Sequence, residues 1–300
     1  MPLRIATVLL VGLWVAGQAA AQKPAVVVIS TPEVEAYEQT LQGIREQLPE
    51  VQVWDARDEG RLRENFSRKL PVVAIAVGSA AAAALERAAP AQLTIIKTVV
   101  MEVDLESGGA PSRFKAVITV DLPPEALLSE VGRLFPGRSR IGVIRGPMQS
   151  DDYMKTFAQA ARRLGLTVEV TICGQPRDLV EVFLKLRSKV DLVWCPPNAQ
   201  LYNSATLKPL LIASLTNRLP ILGFSEQFVQ AGALFGGSAD FVEVGRQTAA
   251  LALQAARNEP VPTRQAAHKF HFAYNQRAAR MLGVKADVAD QPGGELLVIR

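Results

Sequence analysis

Cysteine and histidine are the scarcest chemistry-bearing residues of this 300-residue chain, at two each. Two cysteines make a weak metal site. His268 and His271 have no spacing suited to metal ligation, and on one strand their odd separation points them to opposite faces. The chain also lacks G-x-S-x-G, H-E-x-x-H, G-x-x-x-x-G-K-[ST] and G-x-G-x-x-G, so no nucleophile elbow, zinc-protease helix, phosphate loop or dinucleotide turn is encoded. Asp151-Asp152 reads as a charged helix start rather than a catalytic acid pair. These absences point away from an enzyme and from any cofactor or resident metal. No apolar run reaches the roughly 20 residues that cross a bilayer, which excludes a multi-span membrane protein. The 33 basic and 29 acidic residues form no Lys/Arg block of the kind that tracks phosphates, which argues against nucleic acid as a partner.

What is present reads as a globule. Hydrophobic residues make up 49% and charged residues 21%, close to soluble globular proteins and unlike disordered chains, coiled coils or collagen. The length suits two lobes at roughly 100–200 residues each. Arg4, the uncharged stretch 5–17 and Ala19-Ala20-Ala21 have the layout of a secretory signal peptide cleaved after Ala21; the alternative is an uncleaved anchor helix. No cysteine stands beside that site to accept a lipid. Export to a periplasm gives Cys173 and Cys195 two readings, a disulfide between neighbouring parallel strands or two buried free thiols.

After Lys23 short apolar runs alternate with helical segments. Residues 25–29, 51–54 and 71–77 read as strands followed by helices 33–48, 58–69 and 80–89. In the second half 140–144, 167–172, 190–194 and 220–222 read as strands, separated by helices 151–164, 179–187 and 206–218. Residues 241–257 read as one long helix, and 269–274 as a closing strand. Valine and isoleucine runs without alternation suit strands covered on both faces, and their alternation with helices suits βαβ units. The expected fold is α/β, with two Rossmann-like doubly wound lobes and a ligand cleft between them. The expected segments are a signal peptide at 1–21, one lobe from 22–119 plus 240–264, a second from 120–239 plus 265–284, and a tail at 285–300. A first crossing between lobes falls near Thr119-Val120-Asp121.

Ligands of open α/β sheets sit beyond the carboxyl ends of strands. At those positions stand Ser30, Ser79, Arg145, Asn198, Ser225 and Glu226. Ser79 reads as a ligand-binding hydroxyl or a helix N-cap, and Asn198 as a polar contact or a turn residue. Glu226 reads as a partner for a ligand amine or a helix-start acid, and Arg145 as an anion contact or a solvated rim residue.

In the last third, LPILGFSE at 219–226, VQAGAL at 229–234 and FVEVGRQTA at 241–249 follow in order; RIGVI at 140–144, DLVW at 191–194 and AVGSA at 76–80 precede them. This succession resembles the ABC-transporter substrate-binding family related to the tryptophan-binding TrpX-like proteins. The resemblance implies a type I periplasmic binding fold with three hinge crossings. It further implies a monomer that closes on a small polar ligand, an amino acid being one candidate, and docks on an ABC permease in the inner membrane. By the same resemblance Ser79, Asn198, Ser225 and Glu226 face the cleft. The stretch 98–113 departs from the family, reading MEVDLESGG from Met101 where relatives keep a DP-x-x-x-G loop. The alternative function is an exported ligand sensor that reports to a receptor or sensor kinase.

Overall fold

Valine, isoleucine and alanine fill the central strands of both halves, and such strands need a helix layer on each face. The computed structural model, which describes residues 26–101, 113–147, 151–198, 200–287 and 296–300, contains that arrangement twice. The first half gives β1 (Val26–Ser30), α1 (Glu35–Gln47), β2 (Gln52–Asp55), α2 (Glu59–Arg68), β3 (Val73–Val77), α3 (Ser79–Ala88), β4 (Thr94–Val100) and β5 (Ala116–Thr119). The second gives α4 (Pro124–Leu134), β6 (Arg140–Arg145), α5 (Asp151–Arg163), β7 (Thr167–Ile172), α6 (Leu179–Lys185), β8 (Leu192–Trp194), α7 (Ser204–Asn217), β9 (Ile221–Gly223), α8 (Glu226–Gln230) and β10 (Phe235–Ala239). The chain closes with α9 (Phe241–Ala256), β11 (Arg264–Ala266), β12 (Phe270–Asn275), α10 (Gln276–Leu282) and β13 (Leu296–Ile299).

The first sheet runs β11-β5-β4-β3-β1-β2 and is parallel throughout. The second runs β13-β12-β10-β9-β8-β6-β7, with β10 and β12 its one antiparallel pair among the described residues. Alternate side chains serve opposite faces. In the first lobe Val28, Ile75 and Ile96 pack with Ile44 of α1 and Val244 of α9, while Val27, Ile29 and Ala74 pack with Leu62, Phe66 and Leu85. In the second, Ile141, Val143 and Trp194 pack with Leu127 and Phe157, while Ile144, Val193 and Ile221 pack with Phe183 and Phe228. Each large aliphatic side chain so buried contributes about 1.5–3 kcal/mol of transfer free energy. Among the described residues no helix is long and apolar enough to cross a membrane.

Helix α9 returns from the second lobe to lie against α1, and two glycines set how closely. A Cβ on Gly43 would fall 1.9 Å from the Val242 carbonyl oxygen, and one on Gly245 would fall 2.2 Å from that of Thr40. The two backbones touch where side chains would hold them apart.

Three short crossings join the lobes: residues 120–123 after β5, Asp240 between β10 and α9, and 267–269 between β11 and β12. The Asp240 N–H donates to the Lys269 carbonyl at 2.9 Å, and the Ala267 N–H donates to that of Thr119 at 2.8 Å. The Asp240 carboxylate caps α9 by accepting from the Glu243 N–H at 3.0 Å, and it lies 3.2 Å from Lys269 Nζ and 3.0 Å from His271 Nε2. Burial acts to raise its pKa, but the Glu243 N–H, Lys269 and His271 outweigh burial and hold it below the usual carboxylate value. Asp240→Ala is expected to cost about 1–2 kcal/mol in urea unfolding, chiefly through the lost cap. Asp240→Asn keeps a cap and should cost less. A depressed folded pKa gives stability that is present above the unfolded pKa and lost as pH falls through the folded one. The gap between wild type and Asp240→Asn should therefore narrow as pH drops from neutrality through the acid range.

Several sequence expectations change. Cys173 and Cys195 are free and buried, with no bond between them. They follow β7 and β8, which are not neighbours, because β6 lies between them. Two strand spacings, about 9.5 Å, exceed the roughly 7 Å that a disulfide can bridge between Cα atoms. Burial raises both thiols, pushing Cys195 up to about 12, so neither is a reactive thiolate near neutrality. Strand β11 keeps the chain in the first sheet to Ala266 rather than 264. The far end of the stretch read as a tail forms β13, paired with β12. The signal-peptide stretch 1–21 lies outside the described residues, as do 102–112 of the departing loop.

Candidate functional site

The carboxyl ends of strands from both sheets border a cavity of about 280 Å³ between the lobes. From the first lobe come Glu35, Ala36 and Gln39 of α1, Met101 beyond β4, and Phe241 at the start of α9. The first crossing supplies Val120, Asp121 and Leu122. The second lobe supplies Tyr153 of α5, Trp194 at the end of β8, Phe224 and Ser225 after β9, Gln227 of α8 and Ser238 of β10.

Local backbone features place these groups. The β4–β5 register shifts between Lys97 and Val100, and Val99 within that bulge has φ 56°, an uncommon value for a β-branched residue. Such bulges re-aim the residues that follow, and Met101 is the next but one. In β10 a Cβ on Gly237 would fall 2.7 Å from the Phe272 ring. Glycine there lets the Phe272 ring of β12 lie against β10.

Glu35 accepts from Gln39 Nε2 at 3.4 Å and from Gln227 Nε2 at 3.1 Å, and the second bond runs from one lobe to the other. The Tyr153 hydroxyl donates to the Leu122 carbonyl at 3.0 Å. Burial first and the Asp121 charge second push the Tyr153 phenol well above its ordinary pKa, so the ring stays neutral. Trp194 is 1% exposed and stacks on Phe157, with centroids 4.4 Å apart and planes within 5°. Its Nε1–H is buried with no acceptor among the described residues. The described residues hold no group of three or more metal-ligating side chains.

Of the six candidates from sequence, Ser225 lines this cavity, and its hydroxyl also accepts from the Phe228 N–H at 3.2 Å as the cap of α8. Glu226 borders a separate cavity with Ser238 and His271, and it accepts from Gln230 at 2.7 Å. Ser30 ends β1, buried, with a hydroxyl that has no partner among the described residues. Ser79 is the exposed first residue of α3, whose N-cap is Gly78. Arg145 is buried and ion-paired with Asp151. Asn198 accepts from the Gln200 and Leu201 N–H groups, both at 3.0 Å, as a turn residue does. Sequence reasoning missed Glu35, Asp121, Tyr153, Trp194 and the two phenylalanines. Asp121 and Phe224 had a readable signal, since each follows a strand end. Glu35 and Tyr153 had none, because helix residues reach a cleft only through docking.

The family model described as ABC transporter substrate binding protein matches residues 67–289. The chain belongs to this family. No curated protein sequence matches it significantly. Among solved structures, this substrate-binding protein is similar to the ligand-free, open form of a substrate-binding protein with adhesive properties from Clostridium difficile, at TM-score 0.72 and 14% identity over 92% of this chain and 100% of that one. It is also similar to an ABC domain from Streptococcus pneumonia in complex with L-Trp, at 0.65 and 16% over 92% and 100%. A third is a periplasmic ribose ABC transporter protein from Conexibacter woesei, at 0.59 and 11% over 89% and 97%. At these identities the likeness speaks for the fold. It is the two-lobed α/β type I periplasmic binding fold that the sequence implied.

Proposed function

We propose that this substrate-binding protein is the exported, periplasmic component of an ABC import system. It acts as a monomer that captures a small polar ligand about the size of an amino acid between its lobes and delivers it to an inner-membrane permease. The observation that carries this reading is a cavity walled from both lobes beside the three crossings that join them. A ligand that touches both walls favours the closed arrangement by its differential affinity for closed over open. The Glu35–Gln227 hydrogen bond is a contact of the kind made only when the lobes are close. The signal-peptide layout at 1–21 supports export.

A melting screen of the purified chain beginning at Gln22 tests the reading, against amino acids, amines, small peptides, nucleobases, sugars and organic acids. A ligand at 100 times its Kd adds about 2.7 kcal/mol, which raises Tm by roughly 5–10 °C for a chain of this size. The same ligand should reduce the radius of gyration in small-angle scattering as the lobes close. No shift across the whole panel removes solute capture.

A further inference from the structure

The cavity walls divide into rings and carboxylates. Tyr153, Trp194, Phe224 and Phe241 supply the rings and Glu35 and Asp121 the charge; no lysine, arginine or histidine stands among the described lining residues. Three helices begin at the cleft, and a helix start attracts anions. Each already has its own oxygen: Glu35 is the first residue of α1, the Ser225 hydroxyl caps α8, and the Asp240 carboxylate caps α9. Two neutral amides, those of Gln39 and Gln227, hydrogen-bond Glu35. Glu35 is exposed and Asp121 half-buried; a carboxylate favours a cation beside it, and the faces of aromatic rings favour the same partner. The donors on the walls are neutral, the amides of Gln39 and Gln227 and the hydroxyl of Ser225 among them.

We infer that the cavity takes an organic cation: a protonated amine on a flat aromatic body, with no carboxylate. The inference rests on solute capture by the cleft and narrows the ligand class. A ligand carboxylate would lie near Glu35 and Asp121 with only neutral groups to hold it. An amine lacking that carboxylate therefore outbinds the amino acid of the same skeleton.

Isothermal titration calorimetry on the chain beginning at Gln22 tests this with two matched sets: tryptamine, L-tryptophan and indole-3-acetate; tyramine, L-tyrosine and 4-hydroxyphenylacetate. Each amine is expected to bind about tenfold or more tightly than its amino acid, and the acids to give no heat. Asp121→Asn should weaken both amines about tenfold, with the melting temperature of the ligand-free variant as the fold control. An amino acid that equals or outbinds its amine overturns the cation assignment and leaves solute capture standing. A sugar or organic acid as the sole hit of the melting screen does the same. Silence from both probe sets and from the whole screen overturns both readings.

Discussion

Gly245→Val is expected to lower the stability of the chain by about 3 kcal/mol or more, at the top of the usual range for overpacking. The atoms that its Cβ would meet are Thr40 O at 2.2 Å, Gly43 Cα at 2.9 Å and Ile44 N at 2.9 Å, all of them backbone. A side chain in the way can turn aside, but these can yield only if α9 lifts off α1. That lift would uncover Ile44 and Val244, both fully buried. Urea unfolding followed by circular dichroism reads the loss, with Gly132→Ala as the comparison. Gly132 lies inside α4 and a Cβ there meets nothing within 4 Å. That change should be neutral or stabilising by about 0.5–1 kcal/mol through helix propensity. Equal behaviour of the two variants would sink the close-packing account.

Trp194→Ala should cost about 3–5 kcal/mol. The indole is nearly sealed from solvent and lies flat on Phe157, so truncation opens a void that the sheet and α5 cannot close. Trp194→Phe should cost much less, because the smaller ring retains the stack and removes a buried donor that has no protein acceptor among the described residues. Leaving such a group unpaired carries about 1–3 kcal/mol, and its removal offsets part of the lost packing. The free-energy difference between the two variants, read by chemical unfolding without ligand, checks this. A Trp194→Ala loss under about 1 kcal/mol would show that the void collapses and that the ring is not a fixed wall.

Much of the fold was legible because buried parallel strands leave an uninterrupted apolar signature. The crossing near Thr119-Val120-Asp121 was legible too, since a strand there runs into two prolines. Strand β4 was hidden by Lys97, a charge in the middle of an apolar run that is nonetheless buried, with its ammonium 5.3 Å from the centroid of Phe114. Strand β10 was hidden by Gly236 and Gly237, which read as a loop but are required by the approach of Gly223 and Phe272. Of the two cysteine readings, the free thiols held and the disulfide failed for a related reason: order along the chain is not order across a sheet. The site was least legible, because Glu35, Tyr153 and Phe241 lie far apart in sequence and share a wall only after both lobes form.

The route of α9 also governs when the molecule can finish folding. Residues 120–240, nearly the whole second lobe, are synthesised between β5 and the helix that completes the first lobe. At about 5–20 residues per second this interval lasts roughly 6–24 s on the ribosome. Throughout it, the sheet face carrying Val28, Ile75 and Ile96 has α1 but not α9 upon it. The first lobe is thus kept unfinished until nearly the entire chain has emerged.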